Sequence, residues 1–77
     1  MQMHEKVMSN IDILNLCLEA FDEGRTVSLP NGRFFPPANI SEREIKRKEM
    51  ERKIRDYGKE YVVMQNDNRG LIVSYVN

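Results

Sequence analysis

Hydrophobic positions along the chain follow a helical period twice, and after each such stretch they change to short runs typical of strands. Apolar residues recur with a period of about 3.6 from about Asn10 to Glu23, which predicts a first helix. In a second stretch, from about Glu42 to Tyr57, Met50, Ile54 and Tyr57 form an apolar stripe. The pattern therefore predicts two amphipathic helices.

Both predicted helices begin and end with residues typical of helix ends. The segments Ser9–Asp12 and Ser41–Glu44 fit the capping box, in which a hydroxyl accepts from the third amide of the helix and a carboxylate reaches back. Gly24 and Gly58 follow the two stretches, and glycine readily adopts the left-handed conformation that ends many helices. The predicted bounds therefore rest on local signals as well as on periodicity.

Four short runs with strand-like patterning predict strands. They are Arg25–Leu29, Arg33–Phe35, Glu60–Gln65 and Leu71–Val76. Turn residues separate the members of each pair, Pro30–Gly32 in the first and Asn66–Gly70 in the second. Two hairpins are predicted, one after each helix.

The order helix, hairpin, helix, hairpin predicts an α+β fold, written αββαββ. We expect all strands to form one small antiparallel sheet with both helices packed on one face. In an alternative arrangement the two hairpins lie apart. Residues 1–8 carry no strong periodic signal and are predicted to form a loose N-terminal lead-in or an extra helical turn, and residues 9–77 a single α+β domain.

Composition limits the chemistry of the chain. One cysteine, Cys17, and one histidine, His4, leave no disulfide and no tetrahedral metal site, and we find no motif for a cofactor. The lone cysteine and the lack of a secretory signal predict a cytoplasmic protein. The apolar runs are too short to span a bilayer, so no membrane association is expected.

An enzyme is the least favoured class of function. Cys17 lies on an apolar helix face, far along the chain from His4, and is predicted to be a buried small hydrophobe with no catalytic role. A reaction centre would have to be built from carboxylates or tyrosines across a dimer. We therefore predict no catalytic residues.

The first helix carries more apolar surface than one side of a small core requires. One face holds Ile11, Leu14, Cys17, Leu18 and Phe21. Ile13, Leu16 and Ala20 lie on the adjoining face, which either the rest of the domain or another copy must cover. We predict these three for self-association, in a small non-catalytic homodimeric binding module that acts on another protein as an adaptor, inhibitor or regulator.

A basic sector of the second helix is the predicted partner surface. It comprises Arg43, Arg47, Lys48 and Arg52. The alternative function is nucleic-acid binding by the same cations together with Arg33, whose neighbours Phe34 and Phe35 could stack on bases. Twelve basic and twelve acidic side chains cancel, so no net charge attracts nucleic acid, and the protein partner is favoured.

Overall fold

The computed structural model describes residues 7–55 and 60–76 and shows a small α+β fold with two helices and one mixed sheet. In chain order the elements are β1 (Val7–Met8), α1 (Asn10–Asp22), β2 (Val27–Leu29), β3 (Gly32–Phe34), α2 (Ile40–Arg55), β4 (Tyr61–Asp67) and β5 (Gly70–Tyr75). The end of the segment predicted as a lead-in is strand β1, which pairs with β4. The rest of that segment, with His4, and the predicted helix end at Tyr57 and Gly58 lie outside the described residues.

The five strands lie in the order β1-β4-β5-β2-β3, and β2 and β5 run parallel. The prediction of a purely antiparallel sheet is therefore wrong. The other three pairings are antiparallel, so β1 runs parallel to β2 and β3 parallel to β4. Each helix thus connects two parallel strands, as crossover connections do, and the parallel β2–β5 contact joins the two hairpins into one sheet.

The predicted start and exit of α1 are confirmed. Ser9 has an extended backbone and its Oγ accepts from the Asp12 backbone N–H at 3.4 Å. At the other end Gly24 has φ +81°, and the N–H groups of Gly24 and Arg25 donate to the carbonyls of Phe21 and Ala20, both at 3.0 Å. This is the Schellman arrangement, in which glycine supplies the left-handed residue.

α2 begins at Ile40, two residues before the predicted helix start at Glu42. Asn39, not Ser41, caps it, since the Asn39 Oδ1 accepts from the Glu42 backbone N–H at 2.9 Å. Asparagine is as good an N-cap as serine, and Asn39 is placed to reach the third amide once Ile40 has become helical. The predicted cap was therefore wrong in position, although a helix of the predicted kind is present.

Both helices pack on one face of the sheet. The core comprises Ile13, Cys17, Ala20 and Phe21 of α1, Met50 and Ile54 of α2, and Val27, Leu29, Phe34, Tyr61, Leu71 and Val73 of the strands. Burial confirms the predicted α2 stripe at Met50 and Ile54. The predicted α1 face is rotated, because Ile11 is 71% exposed whereas Ile13 is fully buried. Neither described helix is long and apolar enough to cross a membrane.

Three polar contacts hold α2 in place. Arg47 donates to the Asp22 carboxylate at the end of α1 at 2.6 Å. Lys53 Nζ donates to the Asn31 carbonyl in the β2–β3 turn at 3.1 Å. The hydroxyl of the buried Tyr61 donates to a backbone carbonyl near the end of α2, at 3.3 Å. Together they connect α2 to α1, to the first hairpin and to the start of β4.

The junction of β2 and β5 depends on a close backbone approach. The Leu71 N–H donates to the Thr26 carbonyl at 2.9 Å. The preceding residue, Gly70, has φ +147°, and a Cβ built on it would lie 2.7 Å from the same carbonyl oxygen. Only glycine satisfies both the backbone angle and the space at this position.

Arg25 reinforces this junction from the side. Its guanidinium donates to the Asn66 Oδ1 at 2.6 Å and to the Asp67 carbonyl at 3.2 Å, at the tip of the second hairpin. It also contacts the Glu23 carboxylate at 2.8 Å, and its side chain is only 18% exposed. One side chain therefore links the end of α1 to the β4–β5 turn.

We expect Gly70→Ala to lower the free energy of unfolding by about 2–4 kcal/mol, because an alanine there combines a strained φ with a backbone clash. Urea denaturation followed by far-UV circular dichroism measures the change. Gly32→Ala is the matched control, since its Cβ would meet only the flexible Lys53 side chain, at 3.2 Å. Equal destabilisation by the two substitutions would contradict the role of the close approach.

Arg25→Met is expected to cost about 1 kcal/mol of unfolding free energy, because it removes the hydrogen bonds to the second hairpin while retaining an unbranched side chain. Arg33→Met is the control and is expected to change stability by less than about 0.5 kcal/mol, as exposed surface substitutions do. Amide hydrogen exchange at Leu71 gives a local readout. Unchanged protection of that amide in Arg25→Met would show that Arg25 does not support the junction.

Candidate binding surface on the open face of the sheet

The sheet face opposite the helices carries a continuous row of side chains from four strands. Arg33 of β3 pairs with Ser28 of β2, Ser28 with Ile72 of β5, and Ile72 with Gln65 of β4. Their neighbours along the strands, such as Val27 and Leu71, are buried in the core, so this row points away from it. We call the surface formed by Arg33, Ser28, Ile72 and Gln65 the open face.

A β-bulge places Gln65 on the open face. Val63 pairs with Val73 and Gln65 with Ile72, which leaves Met64 as an extra residue in β4. Without the bulge, strict alternation would put Gln65 on the helix side together with Val63. The irregularity therefore turns a polar amide toward the open face.

The open face contains a shallow groove of about 220 Å³. Arg33, Arg69, Phe35 and Ile72 line it, with hydroxyl and amide groups between them, and none of the described residues in its lining is a carboxylate. Phe35 is 56% exposed and Ile72 39% exposed. The groove thus combines an apolar floor and wall with two cations.

Asp67 orders the turn that presents Arg69. The Arg69 backbone N–H donates to Asp67 Oδ1 at 2.8 Å, and this hydrogen bond lowers the pKa of Asp67 below its usual value, with help from Gln65. The Arg69 guanidinium also approaches the Asp67 carboxylate at 3.3 Å, but its side chain is 83% exposed. An ion pair that is open to water contributes little, so Arg69 can turn to a ligand at low cost.

The four predicted partner residues of α2 extend around the helix from the side that faces α1 to the side that faces solvent. Arg47 faces α1 and binds Asp22, and Arg43 lies one turn earlier on the same side of the helix. Lys48 and Arg52 lie on the solvent side of α2, where they border a shallow depression with Glu51 and Arg55. Glu51 pairs with Arg55 at 3.3 Å. Arg47 and Lys48 also line a second depression, together with Glu44, so carboxylates lie between these cations.

Arg33 lies on the opposite side of the molecule from the α2 cations. The helices cover one face of the sheet, and Arg33 belongs to the open face. Of its two aromatic neighbours, Phe34 is buried in the core and Phe35 is exposed. Arg33 and the cations of α2 therefore lie on different sides of the sheet.

The predicted self-association residues fall largely inside the protein. Ile13 and Ala20 are fully buried in the core, where the rest of the domain covers them. Leu16 packs against that core and remains half-buried. Only Leu16 of the three retains surface that a second copy could contact.

Burial makes Cys17 a poor nucleophile. Loss of solvation raises the pKa of the Cys17 thiol from 9.0 to about 12. In the part of the chain that the structure describes, no group of three or more histidine, cysteine or acidic side chains could hold a metal ion.

A larger groove, of about 460 Å³, lies between the start of α1 and the end of α2. Its lining includes Ile11, Leu14 and Ile54. Arg55, the last described residue of α2, lies on its rim.

Sequence reasoning noted Arg33 and Phe35 but missed their partners on the open face. Ile72, Gln65 and Arg69 come from the second hairpin, and only the β2–β5 junction brings them beside the first. The alternation of Arg33 and Phe35 about a buried Phe34 was the one available signal. Comparisons with protein-family models, curated proteins and solved structures find no match for this chain.

We expect Cys17 in the folded protein to react with a thiol reagent such as DTNB at least about 100-fold more slowly than in urea-unfolded protein, because the reaction needs opening of the core. Stability should also fall as pH rises from 9.0 toward 12, since in that range the thiol ionises only in the unfolded chain. Cys17→Ala removes this component of the pH dependence. Rapid labelling of the native protein would contradict the burial of Cys17.

Proposed function

We propose that this protein is a small non-catalytic binding module of the cytoplasm that acts by contacting another protein through the open face. The observation that carries the proposal is the groove, in which exposed Phe35 and Ile72 stand beside Arg33 and Arg69 on a hydrogen-bonded sheet. Adaptors, inhibitors and regulators all work in this way, by occupying a surface of their target.

The chemistry of the groove fits a protein partner. Aromatic side chains and arginine are enriched at the energetic centres of protein interfaces. A sheet scaffold holds them in place before binding, so little conformational entropy is lost when a partner arrives. The face also exposes apolar side chains on neighbouring strands, which contact with a partner would remove from water.

Nucleic-acid binding by α2 receives less support. Such binding draws most of its affinity from several cations that follow one phosphate backbone. In this fold Arg47 is engaged with Asp22, and the depression that it shares with Lys48 is also lined by the carboxylates Glu44 and Glu51. The chain as a whole has no net charge to add a long-range attraction.

A second copy is the less favoured occupant of the open face. A two-fold dimer through this face would bring the two groove arginines of one copy toward those of the other, and none of the described residues in the groove lining is a carboxylate that could pair with them. Light scattering across a concentration series tests self-association directly. A mass near 9.1 kDa would exclude a homodimer under those conditions. A mass near twice that value would show that the protein forms a homodimer.

We expect Ile72→Lys to abolish partner capture, because it places a flexible charge in the apolar floor of the groove. The tagged protein is expressed in its own cells, and co-purifying proteins are quantified by mass spectrometry. Ile45→Lys is the matched control, since Ile45 is 59% exposed on α2, away from the open face. Phe35→Ser provides a second groove variant, and circular dichroism checks that each variant is folded.

Proteins captured by wild type and by Ile45→Lys, but lost with both groove variants, would support the proposal. Capture that is lost with Ile45→Lys and retained with Ile72→Lys and Phe35→Ser would show that the binding surface lies on α2. Capture that is insensitive to all three variants would overturn the assignment to the open face.

A further inference from the structure

We infer that the partner segment seated in the groove is acidic: a stretch of another protein that places an aliphatic or aromatic side chain against Phe35 and Ile72, with flanking carboxylates on Arg33 and Arg69. The inference rests on the proposed function, because it specifies the chemistry of the partner at the same groove. It follows from charge complementarity between the groove and its occupant.

Arg33 is the groove cation that forms no ion pair among the described residues. Within residues 7–55 and 60–76 no carboxylate lies within ion-pair distance of it. It stands in the cross-strand row with Ser28, whose hydroxyl is a neutral neighbour. A guanidinium in this position can bind a carboxylate through two parallel hydrogen bonds without first breaking an internal ion pair.

Arg69 supplies a second cation at the far hairpin. Its backbone is fixed by the hydrogen bond to Asp67, while its side chain is largely exposed. When a partner binds, Arg69 can leave the Asp67 carboxylate and pair with a carboxylate of the partner. One exposed ion pair is then replaced by another that is less hydrated. The two arginines come from different hairpins, so together they favour a ligand that extends across the sheet.

The apolar part of the groove distinguishes a protein segment from a nucleic acid. Single-stranded nucleic acid binds where several aromatic rings stack successive bases along a basic channel. The groove offers one exposed ring, Phe35, and beside it the aliphatic Ile72, which suits a hydrophobic side chain. Ser28 and Gln65 can exchange hydrogen bonds with the backbone of an extended peptide.

The test is selection of short random peptides, displayed as a library, on the immobilised full chain. Enriched peptides are sequenced, and their contact site is mapped by amide chemical shifts of the labelled protein. We expect enriched peptides to carry Asp or Glu on either side of a large apolar residue, and to shift the amides of Arg33, Phe35 and Ile72. Arg33→Glu should weaken their binding by about tenfold or more.

Lys48→Glu is the matched control, because it makes the same change in charge on the solvent side of α2. We expect peptide affinity within about twofold of wild type for this variant, since exposed charges on the other side of the molecule are screened by salt. Arg33→Met removes the cation without adding a negative charge that would repel an acidic peptide. It should therefore lower peptide affinity by less than Arg33→Glu does. Circular dichroism confirms that the variants fold.

The outcomes separate this inference from the function on which it rests. Peptides that map to the open face but are neutral or basic would overturn the acidic partner and leave the proposed surface in place. Peptides that map elsewhere, or a library that yields no enrichment, would overturn both. Oligo-dT or oligo-U that shifts the same amides and competes with the peptides would assign the groove to nucleic acid instead.

Discussion

The close approach of Gly70 to the Thr26 carbonyl is the constraint on which the rest of this structure depends. It allows β5 to lie parallel to β2, with the Leu71 amide donating across the junction at 2.9 Å. A side chain at Gly70 would push these strands apart, since its Cβ would lie 2.7 Å from that oxygen. Without the junction the chain would contain two separate hairpins, and short isolated hairpins are at best marginally stable.

Joining the hairpins also determines what each face of the sheet can do. One face of the mixed sheet carries the strand residues of the core, and both helices cover it. The other face then brings Arg33 and Phe35 of the first hairpin beside Ile72 and Gln65 of the second. The candidate binding surface is therefore a consequence of the same parallel contact that completes the fold, and the Arg25 contacts to the second hairpin support both.

The distribution of charge follows from this architecture. α2 has many cations, but its orientation against α1 directs Arg47 to Asp22, and Glu51 lies beside both Lys48 and Arg52. The groove has only two arginines, yet no described residue in its lining is a carboxylate. A count of basic residues therefore indicated α2, whereas local complementarity points to the open face.

The sequence by itself determined the local structure: the helices, the caps at Ser9 and Gly24, and the two hairpins, because those signals act over a few residues. It also indicated the buried stripe of α2 at Met50 and Ile54. The parallel β2–β5 pairing, the bulge before Gln65 and the rotation that buries Ile13 and exposes Ile11 were decided by tertiary structure. Strand order and helix rotation are set by contacts between distant segments, and periodicity carries no information about which segments meet.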